Sequence, residues 1–279
     1  MKKIEYAVQH FNDLKGIIIC PYCKKTLKTV NNSLICCNNH TFDISKKGSV
    51  VLYKTSKLKN DRIYDNDLFI NRRNFIKCGF YDKLHDKISE IIKEYNVKTI
   101  LDMGSGEGTH DYRIINRLNK NDIKLIGIDL SKDGIDLSND FIDNNYIGIV
   151  GDLNQLPIRD NKIDLIMNIL SPSNESEMSR VLKKNGIIIK VTPKKEYLYE
   201  LRKELNIKDY ENENIIDGNI KLKYDVLKKY EVIETHPIDK ETLTYLNKMT
   251  PLLNNIDSNP SINEITIALN IYVLRIKDE

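Results

Sequence analysis

Cys20, Cys23, Cys36 and His40 fall within the stretch CPYCKKTLKTVNNSLICCNNHTFD, which holds four of the five cysteines of a 279-residue chain. Cys20-Pro-Tyr-Cys23 is a C-x-x-C pair, a turn that points two thiolates at one centre. Thirteen residues on comes Cys36, and four beyond it His40. Three sulfurs and one imidazole form a soft tetrahedral set that suits Zn2+. Cys36 is preferred to the adjacent Cys37 because its four-residue gap to His40 builds a second knuckle; Cys37 is the alternative. A redox C-x-x-C sits at a helix start in a thioredoxin-like fold, and no such context flanks this one. A module of about 40 residues has too little core to fold alone, so the metal would supply folding energy. Cys78 stands alone near an expected helix end and reads as a packed or inert thiol.

A second constellation is ILDMGSGEGTH, Ile100 to His110. An apolar strand ends at Asp102, and Gly104, Gly106 and Gly108 follow, letting the backbone turn tightly and approach a ligand. By itself G-x-G-x-G also fits a dinucleotide enzyme. Asp129 ends the next strand in LIGIDLS, where it can accept hydrogen bonds from ribose hydroxyls. A third strand ends in GDLNQLP, which places Asp152 and Leu153 beside an adenine-sized slot. A fourth, IDLIMNILSP, ends in a polar turn at the carboxyl edge of the sheet, where substrates bind in such folds.

The elements that must position these groups alternate in type. Strands are expected at 98–102, 124–129, 147–151, 163–169 and 186–191, with helical segments between most of them. This implies an α/β fold, a parallel sheet with helices on both faces. Runs at 230–235 and 266–276 would extend that sheet. Residues 68–95 have helical spacing interrupted at Gly79. Residues 16–55 read as a small β-rich module, with short apolar runs at 17–19, 34–35 and 50–53. The domains expected are therefore a zinc-binding module at 16–55, a linker and helical connector at 56–95, and a sheet domain at 96–279. Residues 1–59 carry eleven Lys and Arg against three Asp and Glu, although the whole chain is only +3. A basic module on a mildly acidic body suits a polyanion, or is simply the solvated surface of a small domain. No apolar run approaches the ~18 residues that span a bilayer, and the first residues are charged where a signal peptide would be apolar. A cytoplasmic protein with no membrane partner is expected, in which thiols bind metal or catalyse rather than form disulfides.

The series of strand-end motifs resembles the class I S-adenosylmethionine-dependent methyltransferases. That resemblance implies a Rossmann-like, seven-stranded, mostly parallel sheet whose final strand, 266–276, is antiparallel. It also implies that Asp129 holds the cofactor ribose, that the Asp102–Gly108 turn passes the methionine portion, and that Asp152 and Leu153 line the adenine. The order of parts is more specific still. The thiol module ends in HTFDISKKGSVVLY, followed by NRRNFIKCGFYDKL, DMGSGEG, GIDLSK, ILSPSNESEMSRVLKKNG, VTPKKEYLYELR and LNKMTPL. This succession is similar to the ribosomal RNA large-subunit (guanine-N1)-methyltransferases. The resemblance implies a homodimer that methylates one guanine of large-subunit rRNA, with the zinc module helping to grip RNA. Tyr81 and the Gly106–Glu107 pair are implied as further S-adenosylmethionine contacts. Tyr197 stands where that family has a histidine, Ile63 and Tyr64 stand where it has a Gly-Asp pair, and residues 1–19 precede its usual start.

N1 of guanine carries a proton that some group or water must take as the new bond forms. The sequence names no unmistakable base. The turn Ile169–Leu170–Ser171–Pro172 lacks the Asn-Pro-Pro-aromatic pattern of exocyclic-amine methyltransferases, which fits a ring-nitrogen target. Asn168, Ser171 and Asn174 are candidates for gripping the base edge, or plain turn residues. Arg72 and Arg73 read as phosphate contacts or as solvent-facing. The competing readings are a methyltransferase of a small molecule or of another RNA, derived from the same family, and a zinc-bearing RNA-binding protein without catalysis.

Overall fold

A computed structural model describes residues 1–54, 65–119, 122–143, 145–207, 213–250 and 260–277. Ile63, Tyr64 and most of the expected linker lie outside the described residues.

The chain opens with α1 (Lys3–Asp13), followed by β1 (Lys28–Val30), β2 (Ser33–Ile35) and β3 (Thr41–Asp43). Next come α2 (Asn66–Lys77) and α3 (Asp82–Lys93). Asp65 caps α2 by accepting from the Leu68 N–H at 2.9 Å, and Gly79, at φ +94°, breaks the helical run at the expected place. Then β4 (Thr99–Met103), α4 (Thr109–Leu118), β5 (Lys124–Asp129), α5 (Lys132–Ser138) and a 3-10 turn (Asn139–Phe141) lead into β6 (Tyr146–Val150). After them come β7 (Ile163–Ile169), α6 (Glu175–Val181), β8 (Leu182–Pro193), α7 (Tyr199–Glu204), α8 (Glu213–Lys223), β9 (Tyr224–Pro237), α9 (Lys240–Met249) and β10 (Glu264–Ile276).

Seven strands form one sheet in the order β6-β5-β4-β7-β8-β10-β9. β10 runs antiparallel to both β8 and β9, and the pairs from β6 to β8 are parallel. The chain thus has the class I methyltransferase fold expected from its motifs. Every residue of β4 and of β6 is buried, because a parallel sheet is covered on both faces. One face packs Ile100, Leu165 and Ile187 against Phe75, Ile88, Ile114, Leu201 and Leu246 of the helices. The other packs Leu101, Ile126, Ile149 and Ile188 against Phe11, Leu52, Ile142, Met178 and Ile220.

That second face shows what residues 1–54 do mechanically. Ala7 and Phe11 of α1 are buried in it, and His10 Nε2 is hydrogen-bonded to the Ile142 carbonyl. The thiol-bearing stretch is hydrogen-bonded to the large sheet rather than tethered beside it. The Leu52 N–H donates to the Val150 carbonyl at 2.8 Å, and the Val150 N–H to the Val50 carbonyl at 3.0 Å. The Ile19 N–H donates to the Pro157 carbonyl at 2.9 Å, and the Arg159 N–H to the Ile17 carbonyl at 2.8 Å. The apolar runs at 17–19 and 50–53 are therefore docking segments, while β1, β2 and β3 make a separate three-stranded antiparallel sheet.

Asp102 at the end of β4 and Asp111 in α4 are 2% and 0% exposed. Burial raises the pKa of Asp102 to about 7, and the nearby charge of Asp129 adds to this. Burial, then the charge of Asp102, pushes Asp111 well above the usual carboxylate range. The folded chain therefore holds protons that the unfolded chain releases above the ordinary value of 3.8. Stability contributed by the pair should fall as pH rises from that value towards neutrality. Asp111→Asn removes one of the competing charges. It should raise the melting temperature more at about pH 8 than at about pH 5. Equal shifts at the two pH values in thermal unfolding would rule out the raised proton affinity of the pair.

Candidate functional site

Each of the two knuckles is closed by a backbone turn. The Lys24 N–H donates to the Cys20 carbonyl at 2.9 Å, and the Asn39 N–H to the Cys36 carbonyl at 3.0 Å. Lys24 and Asn39 both take the left-handed backbone, at φ +60°. The turns bring Cys20, Cys23, Cys36 and His40 together, with all four ligand atoms within 4.8 Å of one another. His40 Nδ1 is 3.4 Å from the sulfurs of Cys20 and Cys36, and Cys23 Sγ is 3.6 Å from Cys36 Sγ. A tetrahedron with zinc–sulfur and zinc–nitrogen bonds of ordinary length has edges of about 3.5 to 3.8 Å, so the donor set fits that metal. Cys37 is exposed and its thiol lies 3.7 Å from the Asn38 side chain, outside the cluster. Tyr22, between the first two cysteines, stacks on Phe42 with ring centroids 6.1 Å apart and stays 45% exposed. Cys78 is exposed as well, its thiol donating to the Asn74 carbonyl.

At the glycine turn Gly104, Gly106 and Gly108 all have positive φ. A Cβ at Gly104 would lie 2.5 Å from Ser171 Oγ, so only glycine lets β4 end against the turn after β7. Asp129 accepts the Gly106 N–H at 3.0 Å on one oxygen and the Ser131 N–H at 2.8 Å on the other. Burial raises its pKa, while those two N–H bonds oppose the rise. Each carboxylate oxygen keeps a lone pair for a further donor. Glu107 is buried and bound inward: Arg73 Nε reaches its carboxylate at 3.2 Å, and the Thr109 hydroxyl donates to the same oxygen. Glu107 therefore shapes the turn, and Arg73, expected at phosphate or in solvent, is its internal partner.

Tyr81 and Tyr197 come together from 116 positions apart in the sequence, with hydroxyls 2.7 Å apart. Asp152 accepts from the Asn154 N–H at 2.8 Å after the end of β6, and Leu153, beside it, is half-buried. A Cβ at Gly104 would lie 3.9 Å from Leu153, which puts this loop within reach of the glycine turn.

The three base-gripping candidates separate. Asn168 is fully buried. Its two Nδ2 hydrogens are shared among the carbonyls of Met103 (2.9 Å) and Pro172 (3.0 Å) and Ser171 Oγ (2.6 Å), and its Oδ1 accepts from Lys190 Nζ (2.6 Å). With both amide hydrogens engaged and the side chain fully buried, Asn168 shapes the turn. Ser171 donates to the Met103 carbonyl at 2.6 Å. Asn174 caps α6, accepting from the Glu177 N–H at 3.1 Å, and donates to Asn154 at 2.9 Å. Leu170 between them sits at φ +51°, a strained conformation of the kind that collects at functional sites.

Sequence reasoning missed Lys190, whose pKa is lowered by burial, and the pair His85–His110, whose ring nitrogens lie 2.8 Å apart. Neither has a spacing signal. Lys190 reads as one residue of an apolar strand, and the two histidines meet only because α3 packs against α4.

Known proteins bear on this arrangement. A family model described as a methyltransferase domain matches residues 96–253, and a zinc-ribbon model described as RlmA, N-terminal, matches residues 18–57. A Bacillus subtilis protein, named provisionally as a 23S rRNA (guanine-N1)-methyltransferase, is 37% identical over 84% of this chain and 85% of its own length. The Streptomyces fradiae 23S rRNA (guanine(748)-N(1))-methyltransferase is 23% identical over 92% of this chain and 95% of its own. Among solved structures, a chain from the Haloferax volcanii complex of a methyltransferase with its Trm112 activator superposes with a TM-score of 0.50. It is 14% identical and covers 76% of this chain and 97% of its own, a likeness of fold alone. By its 37% identity to the Bacillus subtilis relative over more than four fifths of both chains, the protein belongs to the 23S rRNA (guanine-N1)-methyltransferase family.

Proposed function

We propose that the protein transfers a methyl group from S-adenosyl-L-methionine to N1 of a guanine in 23S rRNA. The observation that carries this reading is the joining of a Cys3His cluster to the edge of a class I methyltransferase sheet in a member of that family. The sulfonium cofactor, when bound, supplies an electrophilic methyl group, so the chain's task is alignment.

Asp129 offers its remaining lone pairs to the ribose hydroxyls. Asp102 and Gly104 to Gly106 set the path of the turn along the methionine portion, and Glu107 acts on it through Arg73. Asp152 and Leu153 border the adenine, and Tyr81 and Tyr197 make further contacts to the cofactor. The acceptor base would enter beside Ser171 and Asn174, where the loops after β6 and β7 meet. Asn168 and Lys190 lock the turn beneath it. Cys20, Cys23, Cys36 and His40 hold zinc, and the metal fixes a lysine-rich surface next to residues 157–159, on the flank of that entrance. RNA is then gripped by the zinc module and presented to the turn. A cytoplasmic homodimer completes the proposal. Among the described residues no helix is long and apolar enough to cross a membrane. The edge strand β9 leaves Val226, Leu227 and Ile233 exposed for a second copy.

The decisive experiment incubates the protein and labelled cofactor with unmodified 23S rRNA and maps the product by mass spectrometry. N1-methylguanosine at a single site is expected. Cofactor binding without RNA methylation would point instead to a small-molecule acceptor, and no cofactor binding to a protein that only binds RNA.

Asp129→Ala should weaken cofactor binding by roughly 10- to 150-fold, the value of charge-assisted hydrogen bonds worth about 1.5 to 3 kcal/mol. Unchanged affinity in a folded variant would remove Asp129 as the ribose ligand. Cys23→Ser should lose zinc. Because residues 50–52 hydrogen-bond the main sheet, it should also lower the melting temperature of the whole chain rather than unfold the module alone. Full zinc content in that variant would overturn the ligand set.

A further inference from the structure

Two polar side chains reach the rim of the glycine turn without a part in the scheme above. Arg72 comes from α2 and His110 from the first turn of α4. A Cβ at Gly106 would lie 3.5 Å from Arg72 Nη1, so the guanidinium lies against the turn. Its charge also acts on Asp129, Tyr81 and His110. His110 meets Tyr81 edge-on with ring centroids 5.0 Å apart, and it keeps partial exposure where its neighbours Thr109 and Asp111 are buried.

The contacts behind His110 admit two tautomers, and the Asp82 carboxylate on the Nδ1 side of His85 favours one of them. His85 Nδ1 has Asp82 Oδ1 at 3.6 Å, and His85 Nε2 is 2.8 Å from His110 Nδ1. With the His85 proton on Nδ1, facing the carboxylate, its Nε2 accepts from the His110 Nδ1–H. The lone pair of His110 is then on Nε2. Both rings stay neutral near pH 7: burial first, then the charges of Arg117 and Arg113, takes His85 to about 3. Burial, then His85 and Arg72, holds His110 well below its ordinary range.

We infer that Arg72 and His110 hold the two charged ends of the cofactor's amino-acid portion, the guanidinium taking the carboxylate and His110 Nε2 accepting from the ammonium. The assignment rests on the S-adenosylmethionine reading above and deepens it. A planar guanidinium matches a carboxylate in geometry as well as charge. The ammonium needs an acceptor, and the carboxyls of Asp102, Glu107 and Asp111 in and beside the turn are all buried, at 2%, 2% and 0% exposure. A fixed cation beside a fixed lone pair selects a zwitterion over a simple anion or amine.

Three ligands separate the two poles: S-adenosylhomocysteine, decarboxylated S-adenosylmethionine, which keeps only the amine, and 5′-methylthioadenosine, which has neither group. Calorimetry should show Arg72→Met losing about 10- to 100-fold in affinity for S-adenosylhomocysteine, with the other two ligands unaffected. His110→Phe should lose roughly 10-fold for both amine-bearing ligands and nothing for 5′-methylthioadenosine. His110→Gln, which restores an acceptor near the position of Nε2, should recover most of that loss. If either variant weakens all three ligands alike, the residue serves the fold and the assignment fails. It fails too if S-adenosylhomocysteine binds both variants as it binds the unaltered protein. Should the unaltered protein bind none of the three, the cofactor reading itself falls.

Discussion

The guanidinium of Arg73 is the contact on which the glycine turn depends. It donates to the Glu107 carboxylate at 3.2 Å, the Glu107 carbonyl at 3.1 Å, the Leu137 carbonyl at 2.7 Å and Asp140 at 2.6 Å. It also lies 4.8 Å over the ring of Phe141. One side chain thus joins α2, the turn, the end of α5 and the 3-10 turn that follows. Asp140 extends the connection to Lys3 of α1. Glu107 is buried by this arrangement, and a buried carboxylate is tolerable only while its partner is present. The cofactor side of the protein and its first helix are therefore parts of one electrostatic unit.

Much of this architecture was legible in the sequence because parallel strands buried on both faces advertise themselves. The bounds of β5 and β7 coincide with the apolar runs KLIGID and IDLIMNI. The final antiparallel strand, and so the strand order, came from family resemblance, since neither is a local property of any segment. The cysteine pattern was legible because ligand spacing is set by the knuckle turn itself, each closed with one left-handed residue, Lys24 or Asn39.

What stayed hidden was everything decided by contact between distant segments. Residues 1–19 carry no motif, yet α1 buries Phe11 against a face assembled from residues more than a hundred positions away. Asn168 looked like a residue at a substrate edge because it ends a strand. Only the structure shows it buried and bound to Met103, Ser171, Pro172 and Lys190. Arg73 looked like surface charge for a similar reason: a guanidinium bound by backbone carbonyls has no signature in a single sequence.

The pairing of residues 50–52 with β6 also has a consequence for the order of folding. The thiol-bearing segment leaves the ribosome early, but Ile142, Val150 and Pro157, against which it docks, follow some hundred residues later. Metal can set the two knuckles as soon as His40 has emerged, because their geometry is local. Docking must wait for β6, and contacts of such long sequence separation slow folding. Until then the buried sides of α1 and of Leu52 have no cover, so the nascent chain passes through a stage in which a finished metal site carries an open apolar surface.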